Sequence, residues 1–146
     1  MRIYQTIRFQ GARNTTQENA LIDTGADISI IPLKLAVMIG AWRTDQTINI
    51  SGVHGQSRTL PLGVAHIYFP SLSEMGGRFV IAISDIEQKP IIGMDILRPL
   101  GINIDTRTHQ LSVRNELWEA FKTLSGVGVL TFVGIKILES VFEEKR

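Results

Sequence analysis

Along the first 114 positions, short apolar runs alternate with clusters of turn residues at the spacing of strands, which predicts an all-β barrel or sandwich. IYQTIRF, starting at Ile3, reads as a first strand, GARNTTQEN as a polar turn, and ALID, ending at Asp23, as a second strand. PLKLAVMIGA has the apolar spacing and leading proline of a short helix that Gly40 closes. QTINISGVHGQSRTLPLGVAHIYF has two extended arms around a glycine-bounded centre, Gly52-Val53-His54-Gly55, and predicts a long hairpin. RFVIAIS is a further buried strand, QKPIIGMDIL carries an apolar approach to a second turn, and INIDTRTHQLSV closes the region as a hairpin.

Residues 115 to 146 break this pattern, so the chain divides into a β domain over 1–114 and a C-terminal helical extension over 115–146. NELWEAF opens like a helix with Asn115 as its cap, and SGVGV interrupts it. Beyond that, Lys136, Glu139, Ser140 and Glu143 cluster on one arc of a helical wheel, while Leu130, Val133, Ile137, Leu138, Val141 and Phe142 fill the other. The uncharged run from Thr123 to Ile135 is 13 residues long, against about 20 for a membrane span. A span is therefore disfavoured, and peripheral membrane contact through the apolar face stands as an alternative to packing on the β domain or across a dimer.

Composition narrows the chemistry. A hydrophobic share of 44% with 20% charged residues is ordinary globular usage. The formal charge of +1, without a basic block, argues against a nucleic-acid partner. No cysteine is present, which excludes a disulfide framework, a thiol nucleophile and a thiolate metal site and fits a reducing, cytoplasmic setting. MRIYQTIRFQ lacks the apolar core of a signal peptide and is expected to belong to the fold.

His54, His66 and His109 are too scattered for a metal site, and no cofactor motif is present. Ser29, Ser51 and Ser57 lack a Gly-x-Ser-x-Gly setting, and neither GVHG nor GVGV is a phosphate loop. Trp42 and Trp118 are expected to be packing anchors, and Arg8, Arg13, Arg43 and Arg58 a solvated face.

One acid stands apart. In ALIDTGADISIIP an apolar run ends on Asp23 and turns at once through Thr24 and Gly25, and a carboxylate there is costly to bury unless hydrogen-bonded, paired or protonated. The bare tripeptide is a weak signal. Its setting is stronger: PIIGMDIL follows, with Asp95 lying 72 positions after Asp23, and a glycine-tipped hairpin falls between. Over residues 1 to 114 the chain resembles the retropepsin-like aspartic proteases, whose apolar strand ends in Asp-Thr/Ser-Gly-Ala and whose later motif is an apolar pair followed by Gly-x-Asp/Asn-x-Leu.

That resemblance implies an all-β, retropepsin-like closed barrel, one lobe per chain, with the helical segment appended. It implies an aspartic endopeptidase acting on extended peptide or protein substrates. Two carboxyls about 3 Å apart cannot both ionise, and in aspartic proteases they are known to share a proton. Since this chain has a single Asp-Thr-Gly, the partner must come from a second copy, which implies a symmetric homodimer. By position, Asp23 would be the acid/base, Thr24 would hold the two turns together across the dimer, and Gly25 would allow close backbone approach.

Ala26 and Asp27 would meet the substrate main chain. Retroviral members often pair the acid at position 27 with an arginine after the second motif's glycine, where this chain has Met94. Asp95 looks structural. The hairpin would be the flap, with Ile50, Gly52, Val53, His54 and Gly55 facing substrate, and His54, which titrates near neutrality, is expected to make the flap pH-sensitive. The rival reading is a dimeric module of the same fold that binds a peptide or protein without cutting it.

Overall fold

The computed structural model describes residues 2–51 and 56–113. The tip residues Gly52, Val53, His54 and Gly55, and the predicted helices after residue 114, lie outside the described residues.

Among the described residues, nine strands, two short α-helices and one 3-10 turn at Pro70–Leu72 follow in chain order. β1 (Ile3–Gln10) and β2 (Thr15–Ile22) form an antiparallel pair in unbroken register from Ile3↔Ile22 to Gln10↔Thr15. The second strand therefore starts well before ALID. The polar residues 15–19 were expected to turn, but full pairing with β1 gives their backbone groups partners and keeps them extended, and only residues 11–14 make the turn.

β3 (Ile30–Pro32) leads into α1 (Leu33–Ile39), which buries Leu35, Ala36 and Ile39. Pro32 stands extended at its N-cap, and Gly40 ends it in the left-handed region at φ 70°. There Gly40 donates to Val37 O, satisfying a carbonyl of the last turn. β4 (Trp42–Ser51), β5 (Ser57–Phe69) and β6 (Met75–Ser84) form an antiparallel meander. β7 (Ile91–Ile92) precedes α2 (Met94–Leu97), and β8 (Ile102–Asp105) and β9 (Gln110–Val113) make the closing hairpin.

The protein is thus mostly β. Seven strands form one sheet in the order β1-β2-β7-β3-β6-β5-β4, and β1 also pairs with β5, so six of them close a ring with β4 outside. Inside lies a core that includes Ile7, Phe9, Ile31, Ile67, Phe69, Ile81, Ile83, Ile92, Ile96 and Leu97, each fully buried. The period-2 alternation along the second half of β5, buried at Gly63, Ala65, Ile67 and Phe69, is the physical source of the strand signal in the sequence.

Two expectations about surface residues change. Trp42 is no core anchor: it is 38% exposed on the outer face, beside His66 and beneath the Arg78 guanidinium. Arg8 and Arg58 are not merely solvated, for Arg8 stacks over Tyr68 and pairs with Glu74, while Arg58 pairs with Glu87.

Candidate active site

β2 runs through the ring and delivers Asp23 at its C-terminal end, because Ala20 and Ile22 are buried and hold the strand in register with β1 and β7. Asp23 N–H donates to Ile92 O at 2.9 Å, which extends the β2–β7 ladder by one step. The chain then turns: Ala26 N–H donates to Asp23 O at 3.2 Å, and Gly25 N–H donates to Asp23 Oδ1 at 2.9 Å. A Cβ on Gly25 would stand 3.2 Å from that same oxygen, so the absent side chain lets the amide come this close. The half-exposed carboxyl of Asp23 is therefore oriented by its own turn.

The turn rests on a polar knot beneath it. Ser29 is fully buried, and its hydroxyl donates to Asp95 Oδ1 at 2.7 Å while accepting from Gly93 N–H at 2.8 Å. Ser29 N–H donates to Asp95 Oδ2 at 3.0 Å, and Met94 N–H donates to Ala26 O at 2.8 Å. These bonds bind the second motif to the first. Burial pushes the Asp95 carboxyl up, and the donors from Ser29 offset this only in part.

Gly93 is fixed by space: a Cβ there would meet Ala26 O at 2.6 Å and Ile28 O at 3.1 Å. The structural part expected of Asp95 has this geometry behind it, whereas Ser29 carried no functional signal in the sequence beyond being a polar residue inside an apolar run. Its pairing with Asp95 could be suspected only by supposing that the two motifs touch.

Among the remaining predicted site residues, Thr24 and Asp27 are exposed and Ala26 is half-buried on the same turn. Asp27 has no ion pair or side-chain hydrogen bond among the described residues, in keeping with a methionine at position 94. Ile50, on β4, is brought to the same side as the chain leaving the turn: it and Ile28 both pack on the small cluster of Ile30, Leu60 and Ala82. An open cleft of about 410 Å³ borders Asp23 and Thr24 on another side, walled by Ile3, Ile22, Leu97 and Ile102. Among the described residues no group of histidine and acidic side chains is arranged to hold a metal ion, and no helix is long and apolar enough to cross a membrane.

Residues 6–96 match the family model described as aspartyl protease. With both motifs joined in one site, the chain belongs to the retropepsin-like aspartyl proteases. Among solved structures, it is similar to EIAV protease complexed with the inhibitor HBY-793, at 25% identity and a TM-score of 0.56, covering 72% of this chain and 93% of that one. It shares its fold with the retroviral protease-like domain of Ddi1 from Leishmania major, at 20% identity and a TM-score of 0.54, covering 79% and 89%. No curated protein matches the sequence.

Proposed function

We propose that this chain is an aspartic endopeptidase that works as a homodimer, with Asp23 of each copy contributing to one shared dyad. The observation that carries the reading is the Asp23 carboxyl, half-exposed at a strand end and oriented by Gly25 N–H, within a chain of the aspartyl protease family. In the mechanism, one carboxylate takes a proton from water, the water attacks the scissile carbonyl, and the partner acid protonates the carbonyl oxygen. One proton must stay on the dyad, so activity is greatest at mildly acidic pH and vanishes when both acids ionise.

Thr24, exposed beside Asp23, meets the second copy's turn in this reading, and the cleft next to it, lined by apolar and polar side chains alike, supports that contact. Ala26 and Asp27 bind substrate main chain. The β4–β5 hairpin, with Ile50 on its inner side, forms the flap that shields the groove from water. The working location is cytoplasmic, and the C-terminal segment serves dimer packing or peripheral membrane contact.

The test is cleavage of a diverse peptide library by the purified chain between pH 4 and 7, beside Asp23→Asn and with a statine-type transition-state mimic. Cuts abolished by both establish the dyad. A folded dimer that binds peptides without cutting them would instead make the chain a binding module.

A further inference from the structure

The β4–β5 hairpin has two parts with different support. From Leu62 onward β5 is paired on its other side with β6, starting at Leu62↔Ala82. Farther out, Thr47↔Pro61, Ile48↔Leu60, Asn49↔Thr59, Ile50↔Arg58 and Ser51↔Ser57 pair only with each other among the described strands. A bare two-stranded ribbon is marginally stable by itself. What joins this arm to the body therefore decides where Ile50 sits.

The joining contacts fall on one face of the ribbon. Ile48 and Ile50 of β4 pack on the same cluster of Ile30 and Ala82 against which Leu60 is buried. Two residues farther out, Arg58 points the same way and forks onto Glu87, with one guanidinium nitrogen 2.5 Å from Oε1 and the other 3.4 Å from Oε2. The second nitrogen also donates to the hydroxyl of Ser84, at 3.1 Å, and that hydroxyl accepts from Ile86 N–H at 3.1 Å as well. Ser84 ends β6 and is almost wholly buried, so the anchor belongs to the rigid sheet and the loop that follows it. Asp85 adds attraction from the same loop. Side-chain exposures of 31% for Arg58 and 18% for Glu87 leave the pair partly shielded, less screened than a fully exposed surface contact.

We infer that Arg58 is a positioning residue for substrate: its fork on Glu87 and Ser84 is, among the described residues, the outermost polar tether of the β4–β5 arm and holds Ile50, opposite it in register, over the groove. This rests on the arm being a wall of the substrate groove. When the tether is cut, the arm keeps its apolar contacts through Leu60, Ile48 and Ile50 but leaves the body more often, so the fraction of molecules ready to hold substrate falls and KM rises by the inverse of that fall.

The test follows amide exchange by NMR and cleavage kinetics in the full chain, for wild type, Arg58→Ala and the charge-exchanged pair Arg58→Glu with Glu87→Arg. Exchange in residues 48–51 and 57–60 is expected to rise roughly fivefold in Arg58→Ala, with residues 62–69 unchanged, and to recover at least partly in the exchanged pair. KM should rise as the closed fraction given by the same exchange data falls, by at most that factor, while kcat moves less than twofold. Unchanged exchange in the arm overturns the tether, and so does a rise that spreads equally into residues 62–69, because Arg58 would then support the sheet at large. A loosened arm whose KM fails to follow the measured closed fraction overturns its part in holding substrate. A wild-type chain that cuts nothing, yet shows the exchange pattern, supports the tether and removes the protease reading, so the two failures are told apart.

Discussion

Ser29 and Asp95 hold each other by two hydrogen bonds, hydroxyl to Oδ1 at 2.7 Å and backbone N–H to Oδ2 at 3.0 Å, and through them the two halves of the candidate active site become one body. Ser29 Oγ also receives Gly93 N–H, so removing either partner leaves polar groups stranded in the interior.

Asp95→Ala is accordingly expected to cost about 2–3 kcal/mol, the penalty for leaving the Ser29 hydroxyl and amide unpaired. Urea unfolding of the two chains measures it directly. A loss under about 0.5 kcal/mol would mean that water replaces the carboxylate without cost.

The same acid gives a pH signature. Its folded-state pKa is raised, so the native state binds the proton more tightly than the unfolded chain does. Its contribution favours folding at low pH and fades as pH rises from about 4 through the raised value. Asp95→Asn, which does not titrate, should flatten that part of the stability profile. An unaltered slope would place the titration elsewhere.

Glu87 has the opposite sign. Burial pushes its carboxyl up, and hydrogen bonding from Arg58 with the other local donors more than reverses this, leaving it below its ordinary value. The stability it supplies is complete above the unfolded pKa, near 4.3, and is lost as pH falls through the depressed value. Glu87→Gln should remove this acid-side decline, read from thermal unfolding between pH 3 and 6.

Two glycines separate support from chemistry. Gly93→Ala places a methyl 2.6 Å from Ala26 O, a backbone atom that cannot step aside, and should cost about 2–3 kcal/mol in thermal unfolding. Gly25→Ala meets only the Asp23 side chain, at 3.2 Å. It should change stability by less than about 1 kcal/mol, while displacing the carboxyl and lowering cleavage at least tenfold. Equal stability losses in the two variants would contradict this division.

For Asp23→Asn, stability is expected to stay within about 0.5 kcal/mol of the parent, since the carboxyl is half-exposed and its bond from Gly25 survives in the amide. Cleavage should fall by about 10²–10⁴-fold, the usual worth of a general acid/base. Activity that survives intact would transfer the chemistry to another group.

Much of this arrangement is legible in the order of residues. β5 announces itself because every second residue from Gly63 to Phe69 is buried, β6 because it is an almost continuously buried run, and α1 because Pro32 and Gly40 bracket it. The start of β2 is hidden, since Thr15–Asn19 are held by pairing and not by burial. β3 and β7 are hidden for another reason: three and two residues long, they owe their existence to neighbours from distant parts of the chain. Asp23 shows because an acid ending an apolar run is anomalous. Ser29, Arg58 and Glu87 do not, because a serine in a strand and charges near turns are ordinary until the fold sets them side by side.

The bond between Ser29 and Asp95 spans 66 positions of sequence. During synthesis on the ribosome, Asp23, Thr24 and Gly25 emerge long before the residues that brace them, and a chain cut short of Asp95 lacks the bonds from that acid to Ser29. The bracing of the Asp23 turn is thereby deferred until almost the whole β region has been made.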